Sequence, residues 1–214
     1  MDPLELLAER GAEGFPNLIA ARRETSRRLG EMRLEVSTVP CDPGASVVMF
    51  GSWGRREYNL TRRLLLLLES VAVLNEPVHR NCRQRVLAGY LDESVKDYRP
   101  PRFLLNDLIR YWRTICVDFV GKERRGTGEK WALRNLKLGL SRKALFASGL
   151  LPILSCHRFA AADIGTFLEE AFEAPSIDRI ATSFLEFGVL DAGVRAVDAY
   201  DAFIGLLNDG NARA

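Results

Sequence analysis

Residues 105–119 leave the chain little choice of secondary structure. At 100° per residue, Leu105, Leu108, Ile109, Trp112, Ile115, Cys116 and Phe119 fall within about 120° of arc. Asn106, Asp107, Arg110, Arg113, Thr114 and Asp118 take the other side, so the spacing predicts an amphipathic helix. A loop over 121–128 leads to a second predicted helix at 129–150, of another kind. Leu133, Leu136, Leu140, Ala144 and Ala147 share one face, and Trp131, Leu138 and Leu145 share nearly the reverse one. A helix apolar on two faces must be packed from two sides. Pro152 is expected to close this pair.

The rest of the chain reads as further helices. Short and long helices are predicted over 3–10 and 16–34, each opened by a proline at a favoured first-turn position. The second is rich in arginine (Arg22, Arg23, Arg27, Arg28, Arg33), relieved by Glu24, Glu31 and Glu35 as on a solvated face. Residues 62–74 are apolar almost all round, and their leucines favour a central helix over a buried strand. Another helix starts at Pro77, with His79, Arg80, Arg83 and Arg85 expected to be exposed. Arg99-Pro100-Pro101 forbids helix and ladder alike and reads as a linker between an N-terminal part, 1–99, and a C-terminal helical domain, 100–214. Helices follow over 162–174 and 176–208, with a break near Gly188. Their apolar stripes are Ile177, Ile180, Phe184 and Phe187, then Val194, Val197, Phe203 and Leu206.

The expected fold is therefore mainly α, a helical bundle with a small β remnant near 34–50. Val47 to Phe50 would supply one strand of it, and because a lone strand has no ladder, either a second strand such as 34–38 lies nearby or no stable strand forms at all.

A net charge of +2 over 214 residues gives no field to attract nucleic acid. The basic residues also lack the interleaved aromatics that stack bases, so a nucleic-acid partner is not expected. The longest leucine run, Leu64 to Leu68, is far below the roughly 20 apolar residues of a membrane helix. The acidic start carries no signal, which points to the cytoplasm. Cys41, Cys82, Cys116 and Cys156 contain no Cys-x-x-Cys pair, so they read as reduced thiols and no metal site is expected.

One stretch looks built for chemistry. Four apolar residues, Val47 to Phe50, run into Gly51-Ser52, where a tight turn would expose backbone N–H groups. Gly54, Arg55 and Arg56 follow, so amide donors, a hydroxyl and two guanidinium groups lie close together, the mix that cradles a phosphate. A second basic stripe, Lys130, Arg134, Lys137 and Ser141, crosses the two-faced helix. Its cations need an anion, either a bound phosphate or a neighbouring carboxylate such as Asp107 or Asp118.

The string Gly51-Ser52-Trp53-Gly54-Arg55-Arg56-Glu57 resembles the G-S-x-G-R-x-E signature of bacterial nucleotidyltransferases related to DNA polymerase beta. Residues 103–113, 130–135 and 141–143 look like the helical domain that follows the catalytic domain in that family. The resemblance covers roughly 47–151 and implies a Gly-Ser turn that holds a triphosphate. It also implies an Asp-x-Asp pair about ten residues on, binding magnesium. Here the family's Ser-Asp-x-Asp would fall on Thr61, Arg62, Arg63 and Leu64, so both metal-binding carboxylates are missing. An internal deletion that joins the turn to the later helical half accounts for this.

Three readings follow. One is a degenerate relative that keeps a nucleotide or phosphate site at Gly51, Ser52, Gly54, Arg55 and Arg56, joined by Arg134 and Lys137, with no catalytic residue, metal or cofactor. Another is an active nucleotidyltransferase using magnesium and a nucleoside triphosphate. The last is a non-enzymatic helical interaction module that self-associates through apolar surface at Leu64 to Leu68 or Trp112, uncovered by the deletion.

Overall fold

A computed structural model describes residues 2–9, 14–37, 56–91, 95–125 and 131–209. Its helices are α1 (Pro3–Ala8), α2 (Pro16–Ser37), α3 (Arg56–Leu68), α4 (Glu76–Ala88), α5 (Arg102–Arg125), α6 (Trp131–Lys137), α7 (Lys143–Ser155), α8 (Ala161–Glu173), α9 (Ser176–Glu186) and α10 (Leu190–Asn208). A π-helical turn, Leu138–Arg142, joins α6 to α7, and a 3-10 turn, Cys156–Arg158, follows α7. The mainly helical expectation holds, and no strand occurs among the described residues. The β remnant is corrected in part: residues 34–37, offered as a strand partner, are the last turn of α2, while 38–50 lie outside the described residues.

Local chemistry explains several boundaries. Asp2 caps α1, its Oδ1 accepting from the Leu4 amide at 2.9 Å, with Pro3 at the first helical position. The break near Gly188 is a Schellman motif. Gly188, at φ +68°, donates its amide to the Leu185 carbonyl (3.2 Å) and Val189 donates to Phe184 (3.1 Å), satisfying carbonyls that α9 leaves open. Asp97 caps α8 by accepting from the Ala161 amide at 2.8 Å, and the Tyr98 amide donates to the Phe159 carbonyl at 2.8 Å. These contacts fasten the chain just ahead of the proline pair to the start of α8.

Two hydrophobic clusters form. The first gathers α3, α4, α5, α7 and α8 around Leu64, Leu67, Leu104, Leu108, Ile164 and Leu168. The second gathers α1, α2, α9 and α10 around Leu7, Phe15, Leu18, Ile180 and Val197. Both take side chains from each side of Arg99-Pro100-Pro101. The α7 helix serves both: Leu145, Phe146 and Leu150 pack on the first cluster, and Ala144, Ala147 and Leu151 on the second.

Asp201 of α10 ties the second cluster together. Its Oδ1 accepts from the Leu18 amide (2.7 Å) and its Oδ2 from Asn17 Nδ2 (2.8 Å), so a residue distant in sequence caps the start of α2. Nearby, Arg22 pairs with Asp2 at 2.7 Å and with Asp178, while Arg27 and Arg28 pair with Glu24 on the solvated face of α2.

Other expectations are corrected. Pro152 does not close the hairpin: it is buried inside α7, which runs on to Ser155 because Ile153 and Cys156 are needed in the first cluster. The apolar run of 62–74 is helical only to Leu68. Phe187 and Leu206 are exposed where a stripe was expected, since Phe187 belongs to the turn that ends α9. Arg83 is buried, not exposed, and His79 is half-buried. Leu64 and Leu66 to Leu68 are buried, and Trp112 stacks on Phe146 with ring centroids 5.1 Å apart. The apolar surface that a deletion should have uncovered is thus closed by α4, α5 and α7.

The approach of α3 and α5 to α7 depends on Gly149. A Cβ there would stand 2.8 Å from Leu68 Cδ2 and 3.3 Å from Leu108 Cδ1, both leucines being buried. Gly149→Val should lower unfolding stability by about 2 kcal/mol through overpacking, measured by urea denaturation.

Candidate functional site

The phosphate-like string runs directly into α3. Gly51, Ser52, Gly54 and Arg55 lie outside the described residues, and Arg56 is the first residue of the helix. The first turn of a helix carries unpaired backbone N–H groups and about half a positive charge, so this position suits an anion.

Farther along α3 lie the positions where the resemblance would set its metal ligands. Arg62 is exposed and Leu64 is in the first cluster at 1% exposure; Arg63, between them, is buried. The Arg63 Nε donates to the Tyr90 hydroxyl (3.0 Å) and its Nη2 to Asp107 Oδ2 (3.2 Å). Tyr90 in turn donates to Asp107 Oδ2 (3.0 Å), and Arg110 pairs with Asp107 Oδ1 at 3.3 Å. Burial pushes the Tyr90 hydroxyl up to about 12; its bond from Arg63 works against this, and the Asp107 charge adds to it. This network joins α3, the residues after α4, and α5. It leaves Arg63 no freedom to face a ligand.

Glu69, an acid near the motif in sequence, follows the last residue of α3 and is exposed. At 1.5 Å rise per residue it lies about 20 Å from Arg56 along the axis. Among the described residues no group of three or more His, Cys, Asp or Glu side chains is arranged to hold a metal ion.

Arg134 and Lys137 stand one turn apart on α6. Arg134 is half-buried and donates Nη1 to the Lys122 carbonyl at 3.4 Å. It thereby meets one of the last carbonyls of α5, where a cation is favoured by the helix dipole. Lys137 is exposed. The carboxylates expected to neutralise the stripe form other ion pairs, Asp107 with Arg63 and Arg110, and Asp118 with Lys122 at 2.6 Å. Ser141, at the end of the stripe, lies in the π-helical turn. The structure therefore brings Arg134 and Lys137 together and draws Arg134 towards α5.

Sequence reasoning did not single out Tyr90 or the Arg63–Asp107 pair. The available signal was Arg63 itself, a cation inside a leucine run, which must find a carboxylate when buried.

Comparison with known proteins gives no match: no family model, no curated protein and no solved structure is similar to this chain.

Removing the carboxylate by Asp107→Ala leaves the Arg63 charge buried and should cost about 3 to 5 kcal/mol in chemical denaturation. Tyr90 is also a source of alkaline instability. Its folded value of about 12 lies above the ordinary 10.0, so the folded state holds the proton more tightly. The stability this contributes is complete below the ordinary value and is lost as pH rises through the folded one. Stability followed by denaturant titration across that range should fall less steeply in Tyr90→Phe than in the parent.

Proposed function

We propose that this chain is a non-catalytic relative of the polymerase-beta-like nucleotidyltransferases. In this reading it binds a nucleotide or other phosphate-bearing ligand at the start of α3 without metal-dependent transfer. The observation that carries the reading is the continuity of Gly51-Ser52-Trp53-Gly54-Arg55 with the first turn of α3. Backbone amides, a hydroxyl, guanidinium groups and the positive end of a 13-residue helix are then adjacent in sequence. The loss of transfer chemistry rests on the positions that would carry the metal-binding acids. A cation, Arg62, stands at the first, and Leu64, spent on the core, at the second. Without carboxylates to hold magnesium, nothing there neutralises the charge that develops on a transferred phosphoryl group.

Binding in this reading is magnesium-independent. The melting temperature of the full chain should rise in millimolar pyrophosphate or ATP, equally with magnesium and with EDTA, and the rise should vanish in Ser52→Ala/Arg55→Ala. Absence of any shift in the parent chain sinks the reading. Magnesium-dependent release of pyrophosphate from a nucleoside triphosphate replaces it with an active enzyme.

A further inference from the structure

A second polar feature lies outside that site. Arg179 of α9 is 2% exposed, and its Nη2 donates to the Leu68 carbonyl at the end of α3. Its guanidinium carbon lies 5.6 Å from the centre of the Phe172 ring. The Nε and Nη1 groups have no hydrogen-bond partner among the described residues, and no described carboxylate stands at ion-pair distance from it. Burial disfavours its charge most, the Arg83 charge adds to this, and the Glu69 charge offsets part of it. The end of α3 offers only about half a negative charge. A guanidinium so placed lacks the counter-anion that a buried cation requires.

Arg179 lines a cavity of about 600 Å³ between the end of α7, α8 and α9. Ser155 lines it too, and its Oγ is buried with no partner among the described residues. The walls include Pro152, Ala171 and the stacked pair Phe159 and Phe167, whose ring centroids are 4.3 Å apart. Asp163, Glu170 and Glu186 are exposed lining residues, and Glu186 pairs with Arg158 at 2.8 Å. The volume suits a small organic molecule, and apolar walls with a few convergent donors are the usual make-up of such sites. One buried guanidinium matches one negative charge. The acids around it oppose a second, which disfavours a phosphate dianion.

We infer that this cavity binds an amphipathic monocarboxylate. Its carboxylate would meet Arg179 and Ser155, its apolar body Phe159 and Phe167, and its far end, neutral or cationic, Asp163 and Glu170. The test is isothermal titration of the full chain with phenylbutyrate and octanoate, beside phenylbutylamine and inorganic phosphate. Saturable binding of at least one carboxylate is expected, with no binding of the amine and no displacement of the carboxylate by phosphate. Arg179→Met keeps an unbranched apolar side chain, removes the guanidinium and should weaken that binding at least tenfold, about 1.4 kcal/mol. Ala171→Trp fills the cavity with Arg179 in place and should also abolish binding, which keeps the test decisive if the first variant does not fold. The inference is overturned if neither carboxylate binds, if the amine binds as well, if phosphate displaces the bound carboxylate, or if either folded variant binds the carboxylate undiminished. Phosphate bound at the start of α3 leaves these outcomes unchanged, because only its competition with the carboxylate is read.

Discussion

Close contact between α7 and the helices on either side of it governs how the other elements can be placed. Gly149 lets Leu68 and Leu108 come nearer than any side chain would allow, and the alanines on the opposite side admit α9 and its neighbours. Because α7 is covered on both sides, each hydrophobic cluster has it as a shared wall. The second cluster uses the same device, Gly193 of α10 lying where a Cβ would be 2.8 Å from Phe184 Cβ on α9. Small residues at these crossings substitute close packing for side-chain bulk, which dense interiors require.

Charge fixes the register in which these helices meet. Arg63 and Asp107 link α3 to α5 through Tyr90, and Arg22 links α2 to both Asp2 and Asp178. Such groups are costly to bury and tolerable only with their partners, so each pair admits one alignment of its helices far better than its neighbours. Arg179 departs from this pattern, being equally buried and incompletely met. The contrast between Arg63 and Arg179 separates a structural ion from one that still awaits its anion.

Helical periodicity made most of the fold legible in the sequence. Within the face from Leu105 to Phe119 and the helix expected over 129–150, the buried positions Leu108 and Ile115 and the opposed Leu145 and Ala144/Ala147 follow from spacing, because burial acts on each face through a fixed angular period. Ile109 and Trp131 of the same faces are exposed. The stop at Gly188 was legible because a left-handed residue was needed there. The end of α3 and the passage of α7 through Pro152 were harder for a common reason. Tertiary packing outweighs local preference, carrying a helix through a proline in one case and ending a leucine-rich helix at Leu68 in the other. The candidate site was legible only as a string of residue types. That Arg63 would face Asp107 across helices, and Arg134 the end of α5, depends on how helices cross, and no local pattern encodes it.

The bond from Leu18 to Asp201 joins residues 183 apart in sequence. While the polypeptide emerges from a ribosome, α2 can find its cap only after α10 has been made, whereas the first cluster draws on nothing beyond Phe172. Closing so long a loop adds little entropy over a shorter one, because the cost grows only with the logarithm of length. What it imposes is an order of assembly: the arginine-rich helix must wait, its first amides hydrated rather than capped, until α10 has been made.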